Sequence, residues 1–254
     1  MAAASAGARL DVSGSAQAGP DPSTLEVQVA LSNRGDRPAT GLVVKGELFG
    51  TEDQAGLDQP LGAGESGEAT LRFPLLATRP GTYPVVLLLS YEDPPGQRLY
   101  QCAFLLVSLG ESPEPALDVD VPPLDLSLRG TLGVTVRSAD GRPHRAHLRV
   151  NVPPLLRVLA PPEELEVPGS GAVEARVPLM RATGVGDTDV GIVVLASASE
   201  GDVESTVATT GMVHVRPGQG WLPRLRPALV VASCLLLLLS LAAELLRRRR
   251  QSPT

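Results

Sequence analysis

The segment that most constrains this chain lies near its carboxyl end. Pro227 to Ala243 is 17 residues long and carries no charge, interrupted in polarity only by Ser233 and Ser240. Five consecutive leucines, Leu235, Leu236, Leu237, Leu238 and Leu239, make it apolar on every helical face, as a buried core helix or a membrane span is, and four arginines immediately afterwards would be odd packing for a core. Leu245 and Leu246 extend the stretch past Glu244, and Arg247, Arg248, Arg249 and Arg250 close it. A bilayer core of about 30 Å needs roughly 20 helical residues, with about 17 as the lower limit. Residues 227–246 are therefore expected to form one transmembrane helix. Each serine can return its hydroxyl to a carbonyl one turn back. Glu244 stands four residues before Arg248, within reach of an ion pair near the interface. Trp221 precedes the span, where interfacial tryptophan is favoured.

The arginines after the span outnumber Arg224 and Arg226 before it. That bias puts the basic tail 247–254 in the cytoplasm and the bulk outside. Met1 to Pro20 holds no apolar run of the kind a signal peptide needs. Two readings follow: an exported bulk whose leader is absent from this sequence, which the charge bias favours, or a tail anchor with the bulk in the cytosol.

Composition narrows the remainder. Hydrophobic residues make up 43% of the 254 although aromatics are only 3%, too apolar for a wholly disordered chain. Two cysteines cannot build a disulfide scaffold or a cysteine-rich zinc module. A net charge of -6 opposes general nucleic-acid binding, which relies on basic surface.

The body reads as strands. Leu25 to Asn33 alternates, with Leu25, Val27, Val29 and Leu31 on one face and Glu26, Gln28 and Ser32 on the other, the period of a half-buried strand. A turn over 34–38 leads to a strand from Leu42 to Phe49. Ala69, Leu71 and Phe73 alternate against Glu68, Thr70 and Arg72, and a hairpin joins Thr82–Tyr91 to Arg98–Leu109 through residues 92–96. Short strands divided by Gly, Pro and Asp turns indicate a β-sandwich. The same syntax recurs later. Leu132, Val134 and Val136 alternate, residues 139–143 turn, and Leu148, Val150 and Val152 follow. Phe73-Pro74-Leu75 has its counterpart in Val177-Pro178-Leu179, and Val85–Leu89 in Ile192–Leu195. Offsets of 104 for the Pro-Leu pairs and 107 for the first strands mark a duplicated domain. In this reading Ser138-Ala139 takes the place of Ser32-Asn33.

This order of strand, Asn-x-Gly-type turn, strand, Pro-Gly-x-Gly-type loop, Pro-Leu and hairpin resembles bacterial immunoglobulin-like modules of the CARDB and NPCBM-associated kind, over residues 20–110 and 116–216. The resemblance implies domains that space, present or dock, usually outside the cytoplasm. The expected fold is all-β: two tandem immunoglobulin-like β-sandwiches followed by one C-terminal transmembrane helix. Its parts are a flexible segment 1–19, sandwiches at 20–110 and 116–216 joined by a linker 111–115, a Pro/Gly stalk 217–226, the helix and the tail.

Chemistry-bearing residues each meet a plain structural reading. His144 and His147, three apart on a strand, point to opposite faces and cannot converge on a metal. His214 lies between Val213 and Val215 as the solvent-facing member of a strand. Asp118, Asp120 and Asp125 lack a loop that would gather six calcium ligands. Cys102 is expected in a core, and Cys234 within the span. No Gly-x-Ser-x-Gly elbow, P-loop or dinucleotide fingerprint follows a strand.

The expectation is a non-enzymatic accessory or scaffolding subunit without cofactor or metal. Its partners are the lipid bilayer through 227–246 and a protein of a membrane or envelope assembly, with neither nucleic acid nor a small-molecule ligand. A surface adhesion or carbohydrate-binding module is the alternative, opposed by the scarcity of aromatic side chains.

Overall fold

The computed structural model describes residues 7–19, 21, 23–75, 80–93, 97–110, 114–160, 164–182, 186–200 and 203–216. The residues after Arg216, and with them the stalk, the span and the tail, lie outside the described residues. Among the described residues no helix is long and apolar enough to cross a membrane; the regular structure there is strand throughout.

The first sandwich sets three strands against four. One sheet holds β1 (Leu10–Ala18), β2 (Thr24–Asn33) and β5 (Ser66–Pro74) in the order β1-β2-β5. Facing it are β3 (Thr40–Leu48), β4 (Thr51–Gly56), β6 (Gly81–Asp93) and β7 (Gln97–Leu109), with β6 pairing β3 and β7, and β3 pairing β4. Alternation in β2 explains the division: Leu25, Val27, Val29 and Leu31 are buried against Leu42, Val44, Leu71, Phe73, Leu87 and Leu89. Phe73 fits because Gly46 faces it. A Cβ on Gly46 would stand 2.5 Å from Leu71 Cδ1 and 3.0 Å from the Phe73 ring.

In the second sandwich one sheet holds β8 (Leu117–Asp120), β10 (Arg129–Ser138), β12 (Leu156–Val158) and β14 (Ala172–Arg181), in the order β12-β14-β10-β8. Opposite lie β9 (Leu124–Leu126), β11 (His144–Asn151), β13 (Glu164–Val167), β15 (Thr188–Glu200) and β16 (Val203–Val215). The core is aliphatic, from Leu126, Leu132 and Val134 to Val177, Leu179, Ile192 and Val213. Pro122-Pro123 cannot donate ladder hydrogen bonds, and at that point the chain leaves β10 and crosses to the edge of β16. There β9 pairs in parallel at Val213, His214 and Val215.

The registers of the two copies coincide. Leu25 pairs with Phe73 and Leu132 with Val177; Val29 pairs with Ala69 and Val136 with Val173. Following that offset to the strand ends places Asp140, rather than Ala139, at the position of Asn33.

One expectation is overturned. Residues 10–18 of the supposed flexible segment form β1, paired with β2 at nine successive positions from Leu10↔Asn33 to Ala18↔Leu25. Leu10 is buried, and Val12 and Ala16 pack against the same core. The small polar residues between them hid the period of two, because Ser13, Gly14 and Ser15 read as linker chemistry.

Candidate functional site

One strand in each sandwich is apolar on both faces, and this is where the copies meet. Val85 to Leu89 and Ile192 to Ala196 run without a polar residue, the pattern of strands covered on both sides. In β6, Val85, Leu87 and Leu89 enter the first core, which turns Val86 and Leu88 outward. The outward row continues across the ladder from Glu47 to Val86 to Phe104, and the next from Lys45 to Leu88 to Cys102. In the second sandwich the corresponding rows are Arg149-Leu195-Ala208 and Asn151-Val193-Thr210. These faces close on each other as a third apolar cluster of Val86, Cys102, Val193 and Leu195, with Leu88, Phe104 and Ala208 around it.

Val193 is fully buried and Leu195 is 5% exposed, and an aliphatic side chain of that size contributes about 1.5–3 kcal/mol when removed from water. The backbone also joins at one parallel bridge, Glu204 to Gly81. Residues 7–216 accordingly form one compact unit. The sequence carried the signal in its two unbroken apolar runs; a period of two alone assigns them to a core and misses the second face.

A cleft of about 490 Å³ opens along this seam. Its floor includes Val86, Leu88 and Cys102, and its rim carries charge. Arg149 Nη2 donates to Glu47 Oε2 across the seam at 2.6 Å, and Lys45 Nζ to Glu52 Oε2 at 2.6 Å. Arg149 and Lys45 are each about half exposed at 54% and 41%, so these pairs set alignment more than stability. Burial pushes the Cys102 thiol up to about 12, leaving almost no thiolate at neutral pH and therefore no nucleophile. Cys102 sits in the seam rather than in the core of either sandwich.

Two of the three histidines are held by carboxylates. His144 Nε2 meets Asp140 Oδ1 at 2.8 Å, and His214 Nδ1 meets Asp189 Oδ1 at 2.7 Å. The His144 side chain is only 6% exposed. Ser138 Oγ donates to the same Asp140 oxygen at 2.9 Å. Both serine and histidine therefore meet the carboxylate rather than each other, so the histidine is not placed as a base on the hydroxyl. Asp118 and Asp120 lie exposed on β8, while Asp125 on β9 faces Arg216 at 3.7 Å. Among the described residues no group of three His, Cys, Asp or Glu side chains could hold a metal ion.

Asn33 is a structural centre that sequence reasoning passed over. Fully buried, its Nδ2 donates to the carbonyls of Arg37 and Leu61, at 2.7 and 2.9 Å. Its Oδ1 accepts from the N–H groups of Arg9 and Gly35, at 3.2 and 2.9 Å. One side chain thus ties the start of β1, the turn after β2 and the loop at Leu61. Tyr91 adds a second tie, its hydroxyl donating to the Ala8 carbonyl at 3.3 Å. Tyr91 is buried and Phe49 packs edge-on against Tyr83, so these aromatics do not form a flat sugar-binding platform. The remaining sequence-predicted site, Trp221, Leu235–Leu239, Glu244 and Arg247–Arg250, lies outside the described residues.

No protein-family model matches the chain, and no curated protein matches it. Among solved structures, the chain is similar to a Salmonella alpha-2-macroglobulin mutant at 16% identity and a TM-score of 0.34, covering 82% of this chain and 16% of that one. It is similar to elastase-activated Escherichia coli alpha-2-macroglobulin at 12% identity and a TM-score of 0.34, covering 83% and 22%. A Porphyromonas gingivalis protein of unknown function is similar at 15% identity and a TM-score of 0.32, covering 81% and 99%. The chain thus spans less than a quarter of either macroglobulin. In class it is an all-β protein built of two β-sandwiches.

Proposed function

We propose that this is a non-enzymatic, single-pass membrane protein whose two fused sandwiches serve as a docking body for a protein of the same membrane or envelope, as an accessory or scaffolding subunit. The observation that carries the reading is the uncharged stretch from Pro227 to Ala243, with Leu235–Leu239 at its heart and four arginines behind it. The orientation proposed has the tail in the cytoplasm and the sandwiches outside, as the arginine bias favours. The resemblance to CARDB and NPCBM-associated modules supports a presenting or docking role. Confinement to two dimensions raises the effective concentration of such a body toward partners in the same bilayer. The fused seam supports the reading as well, because two sandwiches packed on each other through Val86, Cys102, Val193 and Leu195 can present one continuous docking surface.

The test is extraction. The full chain is expected to stay with membranes through an alkaline carbonate wash. The double substitution Leu237→Arg and Leu238→Arg, at about 3 kcal/mol for each arginine near a helix centre, is expected to move most of it to the supernatant. Release of the unsubstituted chain would overturn the anchor. Protease added to intact cells is expected to digest residues 7–216; their survival would favour the tail-anchored arrangement instead.

A further inference from the structure

The second sandwich has two unlike ends. At one, the chain turns through Ala139-Asp140-Gly141-Arg142-Pro143 between β10 and β11, and through Pro168-Gly169-Ser170-Gly171 between β13 and β14. That is the polar and glycine-rich chemistry usual for turns. At the other, β9 passes to β10 through Ser127 and Leu128, and β11 to β12 through Val152-Pro153-Pro154-Leu155. The second of these loops has no polar side chain. Leu128 stands 56% exposed at the tip of its turn, Ser127 and Arg129 are exposed beside it, and Pro154 is exposed as well. A single exposed leucine is ordinary on a protein surface; its company at one end of the sandwich is not.

This apolar end is the one the chain leaves by. Arg181 N–H donates to the Leu128 carbonyl at 3.0 Å, and Ala182 N–H to that of Leu155 at 2.9 Å. Arg181 Nη1 donates to the carbonyl of Arg216 at 3.1 Å, and Arg216 N–H to that of Leu126 at 2.8 Å. Both loops therefore join the exit point through adjacent residues. Trp221 follows Arg216 by five residues, a separation the chain cannot stretch beyond about 18 Å, and an interfacial tryptophan sits at headgroup level. β16, of 13 residues, is about 40 Å long at about 3.4 Å per residue. So short a tether keeps the Leu128 end beside the bilayer and cannot bring the Asp140 end there in its place.

The charges at this end fit a phospholipid surface. Asp125 and Asp187 are both answered by Arg216, at 3.7 and 3.3 Å, and Asp189 by His214 at 2.7 Å. Arg129 is exposed and has no ion pair among the described residues. An unpaired guanidinium next to an exposed leucine matches the boundary where phosphates lie just outside acyl chains.

We propose that residues 127–129 and 152–155 seat the second sandwich on the surface of its own membrane, with Leu128 dipping between phospholipid headgroups and Arg129 meeting a phosphate. This rests on the reading of 227–246 as the anchor, and adds to it a second, peripheral lipid contact.

The test uses the full chain in vesicles of phosphatidylcholine brominated near the headgroup end of the acyl chains, where bromine quenches any tryptophan it touches. Trp221 is the one tryptophan of the chain, so Trp221→Phe leaves a dark background. In it, Leu128→Trp is expected to lose fluorescence at least about twofold against unbrominated vesicles. Leu106→Trp, at a position 49% exposed on β7 of the first sandwich, is expected to keep its fluorescence. Arg129→Glu added to the Leu128→Trp chain is expected to at least halve the quenching. An unquenched Leu128→Trp beside a quenched Trp221 in the parent overturns the proposal and leaves the anchor standing. Quenching as strong at Leu106→Trp, or indifferent to Arg129→Glu, overturns it as well. A parent chain washed off by carbonate, with Trp221 unquenched, would overturn the anchor and this contact with it.

Discussion

Asn33 and Asp140 occupy the same corner of two copies of one fold, and they solve it with different chemistry. In the first sandwich the side chain is a buried neutral amide with four hydrogen bonds reaching three segments. In the second it is a carboxylate that accepts from Ser138 Oγ, the Arg142 N–H and His144, all within a few residues. Both make the turn, because Gly35 N–H bonds to Asn33 Oδ1 and Arg142 N–H to Asp140 Oδ1, each two residues on. The difference lies in what the corner must hold. The first sandwich has a full-length β1 whose beginning needs tying, and Asn33 reaches Arg9 to do so. In the second, the beginning of β8 is tied from another strand, Ala116 N–H donating to Ser205 Oγ at 3.2 Å, so the corner at Asp140 is local and tolerates charge. A duplicated position keeps its turn geometry while its tertiary role follows the strand beside it.

The largest expected effect tests whether the two copies are independent at all. Val193 lies in neither core but in the seam, and Val193→Asp would bury an unpaired carboxylate at a cost on the order of 4 kcal/mol. Opening the seam relieves that cost while both cores remain closed. In a Cys234→Ala background, Cys102 is expected to react with a thiol reagent at least tenfold faster in the variant. Calorimetry is expected to resolve two transitions where the parent shows one. A single transition with an unreactive thiol would mean the sandwiches are coupled by something other than this cluster.

Next in size is the corner of the first sandwich. Asn33→Ala leaves two partly buried N–H groups and two carbonyls, the Leu61 one buried, short of a partner, and about 3 kcal/mol is expected from the least compensated of them together. For a body of this length that is a fall in Tm of roughly 6–12 °C. Asp140→Ala is expected to lower Tm less, since its partners can turn to water. Equal losses at the two corners would remove the distinction drawn between them.

Much of this was legible in the residues. Period-two patterns at Leu25–Asn33 and Leu132–Val136 placed the paired inner strands, and the Pro-Leu repeats carried the register that joins Leu25 to Phe73 and Leu132 to Val177. Three things were not. The strand at 10–18 has too few large apolar side chains to declare a face. The seam depends on outward residues of strands whose inward residues already account for their hydrophobicity. Asn33 gives no signal because a buried amide and a turn amide have the same letter, and only the convergence of Arg9, Arg37 and Leu61 on it distinguishes them.

The smallest effect concerns acid, and it separates the corners by charge alone. Hydrogen bonds from His144, the Arg142 N–H and Ser138 hold the Asp140 carboxyl well below the usual carboxylate range. Because the folded value is depressed, its contribution is complete above the unfolded value of about 3.9 and is lost as pH falls through the folded one. Asp140→Asn has no such titration at this position, and Asn33 has none in either chain. The urea midpoint of the unsubstituted chain is therefore expected to exceed that of Asp140→Asn near neutrality. The gap should narrow steadily below about pH 4 and be salt-sensitive, because the corner is exposed. A gap that stays constant down to pH 2 would show that the aspartate acts through shape, as Asn33 does, and that the two corners differ less in chemistry than in their neighbours.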